Sequence, residues 1–310
     1  KTVIPYYERW IKILPTIEKL AKTPEQKILK LWEGLGYYSR VKNLKKSAKI
    51  ICKEMNGKLP KKAKDLQNLP GIGRYTAGAI SSIAFGLKAP VLDGNVKRVL
   101  SRLFCISDNG ETSASENRLW SKAGHLLSTH RPGDFNQALM ELGATICIPK
   151  LPLCQQCPLR SICQAFSTNS VSKFPPSKKK IPSKKIEVSA GIIIKNKKVY
   201  IQQRAKDGFM GGLWEFPGGK REEGESPEDC LKREIQEELG TTVVSLNQVM
   251  TIKHTYTQFR VTLNVFSCIL GRKKIRPEGC NQWKWVSLSS LKKYPFPAAN
   301  VKIVEYLAKK

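Results

Sequence analysis

The chain has 310 residues, enough for two domains with full cores, and carries 54 Lys and Arg against 25 Asp and Glu, a formal net charge of +29. That excess favours a polyanionic partner, nucleic acid before membrane, because no apolar run is long enough to span a bilayer. The nine cysteines argue against secretion: their number is odd, no signal peptide is visible, and four of them cluster as in a metal site of a reducing, cytoplasmic compartment.

The first half reads as consecutive helices with short connections. Thr23-Pro24-Glu25-Gln26 predicts a helix start, with threonine as N-cap and proline at the first helical position. Ile28, Leu29, Leu31, Trp32 and Leu35 give that helix its apolar face, and Gly34-Leu35-Gly36-Tyr37-Tyr38 breaks it. Leu44, Ala48, Ile51, Cys52 and Met55 mark the buried face of the next helix, which Gly57 ends. Two aromatics beside glycines fit a helical core poorly. A rigid, exposed ring on a tight turn is what propping open a base stack requires; packing against the following helix is the alternative, stronger for Tyr38 than for Tyr37.

Pro70-Gly71-Ile72-Gly73 then turns the backbone into a helix whose free N–H groups bind an anion, although Gly-x-Gly alone is equally an ordinary loop-to-helix turn. Asp93 follows in the turn Leu92-Asp93-Gly94-Asn95, where a short loop can hold an acid at the mouth of a cleft. Residues 134–146 read as a helix with Phe135, Ala138, Leu139 and Leu142 inward, and Glu141 lies beside that stripe. Cys147, Cys154, Cys157 and Cys163 form Cys-x6-Cys-x2-Cys-x5-Cys. Four thiolates this close can converge on zinc or on an iron–sulfur cluster, although structural zinc sites usually pair two Cys-x2-Cys knuckles and here there is one.

Residues 167–186 hold prolines, serines and six lysines without one acid, so they predict an extended, basic linker. Beyond them the periodicity becomes β: residues 186–194 and 199–204 read as strands joined at Lys195-Asn196-Lys197-Lys198. Gly218-Gly219-Lys220 leads to a helix capped by Ser226 with Pro227 at its first position. On that helix Glu234, Glu237 and Glu238 share one face, either solvated and paired with Lys232 and Arg233 or able to bind a hard cation.

The hairpin around Gly71 and Gly73, the Leu-Asp-Gly-Asn-Val run and the cysteine spacing together resemble the helix-hairpin-helix DNA glycosylases, most closely the adenine DNA glycosylase (MutY) family. The resemblance implies an all-helical region over residues 1–166 whose cysteines hold a [4Fe-4S] cluster in a loop presenting Lys150 and Arg160 to phosphate. It implies that Gly71 and Gly73 grip DNA, that Tyr37 intercalates, that Glu141 contacts the target adenine and that Asp93, oriented by Asn95, stabilises the sugar cation. Tyr75 stands where strand-cutting relatives carry an imine-forming lysine, which implies a monofunctional, water-using enzyme. The acid that protonates adenine is expected upstream of Lys1, outside this sequence; a protein lacking it would bind lesions without cleaving.

Gly219 to Gly240 matches the Nudix motif, Gly-x5-Glu-x7-Arg-Glu-U-x-Glu-Glu-x-Gly-U with U aliphatic, and departs only at Thr241. This implies a mixed-sheet Nudix domain over residues 187–310, with Mg²⁺ at Glu234, Glu237 and Glu238. Its flanks are similar to the 8-oxo-dGTP pyrophosphohydrolases (MutT), in which Asn300 matches the reader of the oxidised purine. Thr257 keeps the hydroxyl of a family loop that touches 8-oxoguanine, Gln258 replaces its histidine, and Lys284 falls near an additional metal-site glutamate. The expected molecule is a monomer of multidomain α plus α+β class that acts on double-stranded DNA at adenine opposite 8-oxoguanine. A nucleotide pyrophosphohydrolase fused to a DNA-binding half is the competing expectation.

Overall fold

The computed structural model describes residues 3–107, 113–176, 184–256 and 259–309. Thr257, Gln258 and the linker lysines Lys178, Lys179 and Lys180 lie outside the described residues. The chain divides into two compact units, Lys1–Ala48 with Ile181–Lys310, and Lys49–Lys180.

The first unit begins with α1 (Ile4–Ile13), α2 (Ile17–Lys22), α3 (Glu25–Leu31) and the start of α4 (Tyr38–Glu54). Leu14, Leu20, Ile28, Leu29, Tyr38, Val41 and Ala48 form their core, and Leu213 from the β half completes it. The expected start at Thr23-Pro24 is corrected by one position. Pro24 is the residue before the helix, and Thr23 instead closes α2, its hydroxyl donating to the Lys19 carbonyl at 2.7 Å. Leu44 is exposed rather than buried, because the inward stripe of α4 runs through Val41, Ala48 and Ile51. The turn before α4 is closed by Trp32 Nε1 donating to Gly36 O at 2.9 Å. It forces Gly36 and Tyr37 into the left-handed region, at φ +70° and +46°, a conformation that costs a residue with a Cβ. Tyr38 is buried, whereas Tyr37 is 60% exposed.

The second unit continues through α5 (Ala63–Leu66), α6 (Arg74–Ala79), a π-helical turn over Ile80–Ala84, α7 (Gly94–Leu103), α8 (Ser113–Leu126), α9 (Pro132–Thr145) and α10 (Gln164–Ser167). Val96, Val99, Leu100 and Leu103 of α7 pack with Leu119, Trp120 and Leu139. A Cβ at Gly143 of α9 would lie 2.7 Å from Asn95 Cβ, so the close approach of α9 to α7 requires glycine there. The expected inward stripe of α9 is corrected in part: Ala138 is exposed and Asn136 is buried. Asn136 Nδ2 satisfies itself on Ser82 Oγ at 2.8 Å and Ala89 O at 2.9 Å, so a polar side chain takes an interior position with its hydrogen bonds made.

The β half of the first unit is a mixed, seven-stranded sheet among the described residues. It comprises β1 (Lys184–Lys195), β2 (Lys198–Gln203), β3 (Trp214–Glu215), β4 (Gly218–Lys220), β5 (Val243–Thr255), β6 (Phe259–Leu270) and β7 (Gln282–Ser287). The order is β3-β2-β1-β6-β5, with β4 paired to β1 and β7 to β2. β1 runs parallel to β6 and antiparallel to β2. Asn196 and Lys197 both adopt positive φ, the geometry a two-residue hairpin demands. α11 (Pro227–Leu239) starts at Ser226, whose hydroxyl accepts from Asp229 N at 3.1 Å, and ends at Gly240 with φ +64°. α12 (Ala298–Leu307) closes the chain.

α3 and the turn that follows it are pinned to this half by polar contacts. Gln26 Nε2 donates to Gly212 O at 2.9 Å, and Gln26 Oε1 accepts from Trp214 Nε1 at 2.8 Å. Lys30 Nζ donates to Tyr294 O at 3.0 Å, and Glu33 Oε1 accepts from Phe296 N at 2.8 Å. Among the described residues no helix is long and apolar enough to cross a membrane.

Candidate functional site

Asp93 is not held in a turn, as its Gly-Asn setting predicts, but is the N-cap of α7. Its Oδ1 accepts from Val96 N at 2.7 Å, and its Oδ2 accepts from Asn95 Nδ2 at 3.3 Å. The positive end of a ten-residue helix and two donors thus fix the carboxylate in place.

The same helix carries two arginines that sequence reasoning missed. Arg98 Nη2 donates to Asn95 Oδ1 at 2.9 Å, and Arg98 Nε donates to Cys147 O at 2.7 Å. Arg102, only 4% exposed, donates to Cys147 Sγ at 3.3 Å, to Ile148 O at 2.9 Å and to Phe174 O at 2.8 Å. A continuous set of hydrogen bonds therefore joins the Asp93 carboxylate to the first cysteine. The available signal was the i, i+4 spacing of Arg98 and Arg102 on the helix that Asp93 opens. Exchanging Arg98 for methionine removes the guanidinium that turns Asn95 towards Asp93. Any reaction that uses the Asp93 carboxylate should therefore slow by about 10- to 100-fold in this variant, by analogy with outer-shell partners of reactive groups; a wild-type rate would contradict this.

Gly71, at φ +79°, and Gly73, the N-cap of α6, form the expected tight turn into a helix. Tyr75 lies in the first turn of α6, its hydroxyl 3.8 Å from Met140 Sδ, so the hairpin helix meets α9 beside Glu141, which is exposed.

Cys147, Cys154, Cys157 and Cys163 line one cavity, whose wall Val99, Leu103, Leu142 and Phe166 make apolar. Burial first, and then the neighbouring thiols of Cys147 and Cys163, push the Cys154 thiol up from its ordinary value. Among the described residues no group of three or more His, Cys, Asp or Glu is placed to hold a single metal ion. The four thiols ring this cavity, a donor set that suits an iron–sulfur cluster or zinc.

In the β half, Arg233 occupies the centre of the acidic face. Its Nε donates to Glu225 Oε1 at 2.9 Å, and its Nη1 donates to Glu234 Oε1 at 3.0 Å and to Glu237 Oε2 at 3.1 Å. Lys232 pairs with Asp229 at 3.0 Å instead. Glu238 turns inward and accepts from Gly218 N at 2.9 Å. Asn300 Oδ1 accepts from Phe216 N at 3.5 Å, and Lys284 Nζ lies over the Trp214 ring at 5.4 Å.

Burial raises the Glu238 carboxyl from 4.5 to about 7 against the Gly218 hydrogen bond, and burial likewise raises Glu215 to about 7 against its Arg204 partner. A carboxyl that binds its proton more tightly folded than unfolded stabilises the fold fully below its unfolded pKa and loses that contribution as pH rises through its folded pKa. In EDTA the melting temperature should therefore carry a downward component between pH 4.5 and 7, which Glu238→Gln flattens. An identical slope in wild type and variant would contradict the assignment.

A family model described as "HhH-GPD superfamily base excision DNA repair protein" matches residues 1–124, and one described as "NUDIX domain" matches residues 189–306. The adenine DNA glycosylase of Buchnera aphidicola subsp. Baizongia pistaciae is 34% identical over 313 residues, covering 100% of this chain and 86% of the relative. That of Mus musculus is 34% identical over 333 residues, covering 92% of this chain and 64% of its own length. That of Homo sapiens is 35% identical over 318 residues, covering 87% and 58%. The chain thus spans roughly three-fifths of the mammalian relatives it matches.

Proposed function

Because this chain belongs to the adenine DNA glycosylase family, we propose that it hydrolyses the N-glycosidic bond of adenine mispaired with 8-oxoguanine or guanine, as a monofunctional enzyme of base excision repair. The observation that carries this reading is the Asp93 carboxylate, held at a helix N-terminus by Val96 N and Asn95 Nδ2. Cleavage of the bond builds positive charge on the deoxyribose, and a preorganised carboxylate stabilises that charge without reorganising.

In this reading the turn at Gly71 and Gly73 binds a backbone phosphate, Tyr37 wedges the base stack, and Glu141 contacts the extruded adenine. Extrusion costs a few kcal/mol, which the phosphate contacts offset. Tyr75 offers a phenol and no amine, so water and not an enzyme imine completes the reaction. Cys147, Cys154, Cys157 and Cys163 would hold a [4Fe-4S] cluster whose contribution is structural, fixing the loop that carries Lys150 and Arg160. Thr257 and Asn300 are the proposed readers of 8-oxoguanine. The test is release of free adenine from such a duplex by the full-length protein, with borohydride added. Free adenine without a trapped protein–DNA adduct is expected; an adduct would contradict the monofunctional mechanism.

The complete acidic motif favours a second reading for the β half, Mg²⁺-dependent hydrolysis of 8-oxo-dGTP at Glu234, Glu237 and Glu238. The cation would have to displace Arg233 from Glu234 and Glu237. Pyrophosphate released by wild type and not by Glu237→Gln would support this reading, and no release from wild type would remove it.

A further inference from the structure

Within the first unit, the turn before α4 and two segments of the β half enclose a cleft. Tyr37, Lys42 and Lys46 line one wall; Lys206, Phe209 and Tyr256 line the other. Among the described residues no aspartate or glutamate lines it, so its three lysines give it one sign of charge. Phe209 is 56% exposed, yet it is not loose. Its carbonyl accepts from Arg204 Nε at 2.9 Å, and the base of its loop is closed by Gly212 N donating to Arg204 O at 3.1 Å. Its ring leans on Phe259 at 5.4 Å and Tyr256 at 6.4 Å between centroids, and His254 backs Tyr256 at 4.5 Å.

A water-exposed phenylalanine held rigid in a lysine-lined cleft, which a strained and exposed tyrosine also lines, is an arrangement for stacking a base and neutralising its phosphates. We infer that Phe209 is a second stacking residue, which with Tyr37 on the opposite wall holds the purine nucleotide facing the target adenine, while Lys42, Lys46 and Lys206 meet the adjoining phosphates. This rests on the glycosylase reading and assigns it a contact on the opposite strand. Phe209 would recognise the ring face of that purine, leaving its edges to other groups.

The test measures affinity of the full-length protein for two duplexes in which the target carries 2′-fluoro-2′-deoxyadenosine, which resists hydrolysis. One duplex has 8-oxoguanine opposite, the other a tetrahydrofuran abasic site. Phe209→Ala should bind the first about tenfold more weakly and the second within about twofold of wild type, while Phe209→Trp should match wild type on both. Equal affinity of Phe209→Ala and wild type for both duplexes would overturn the inference, and so would an equal loss on both. Failure of the wild type to release adenine from the corresponding hydrolysable duplex would overturn the glycosylase reading instead.

Discussion

Replacing Asp93 with asparagine will slow single-turnover adenine excision by on the order of 10²–10³-fold, the usual cost of removing one preorganised group that meets transition-state charge. The amide oxygen can still accept from Val96 N, so the cap of α7 survives and the fold with it. On the proposed reading, what is lost is the negative charge opposite the developing sugar cation. Affinity for duplex DNA bearing adenine opposite 8-oxoguanine should therefore stay at its wild-type level. A variant that turns over within tenfold of wild type would show that another group supplies the stabilisation.

Loss of a cysteine should have the second largest effect. Cys147→Ser removes a proposed cluster ligand and also the sulfur that Arg102 Nη1 faces at 3.3 Å. The serine oxygen sits on a shorter bond than the sulfur, so the buried guanidinium keeps its carbonyl partners and a weakened side-chain contact. Where a metal centre forms only in the folded state, its binding energy is folding energy. The purified variant should contain far less iron and sulfide than wild type. Hydrogen exchange should accelerate over residues 147–176 and α7, and the sheet between β1 and β6 should keep its protection. Wild-type iron content with wild-type protection of α7 would contradict a cluster at these four residues.

Local chemistry was legible in the sequence, and non-local packing was not. Ser226, Pro227 and Gly240 bound α11 as their types demand, because capping depends on a few neighbouring residues. Asn196 and Lys197 form the hairpin turn for the same reason. The different exposure of Tyr37 and Tyr38 is local too: Tyr37, next to Gly36, takes the left-handed turn and stays exposed, and Tyr38 opens α4 and is buried. Asp93 was misread as a turn residue because Asp-Gly-Asn is turn-forming. The Val-Lys-Arg-Val-Leu-Ser-Arg-Leu periodicity that follows carried the signal of a helix start. The pairing of Gln26 with Gly212 and Trp214 joins positions nearly two hundred residues apart, and nothing local to either end encodes it. The path from Asp93 through Asn95 and Arg98 to Cys147 was hidden likewise, because it depends on how closely Gly143 lets α9 approach α7.

The most direct measurement incubates the full-length protein with two end-labelled duplexes, one with adenine opposite 8-oxoguanine and one with adenine opposite thymine, and resolves the strands before and after alkali. Scission at the adenine only after alkali, and only in the first duplex, is the predicted result. Tight binding of the first duplex with no alkali-labile site would contradict glycosylase action and leave a protein that recognises the lesion without cleaving.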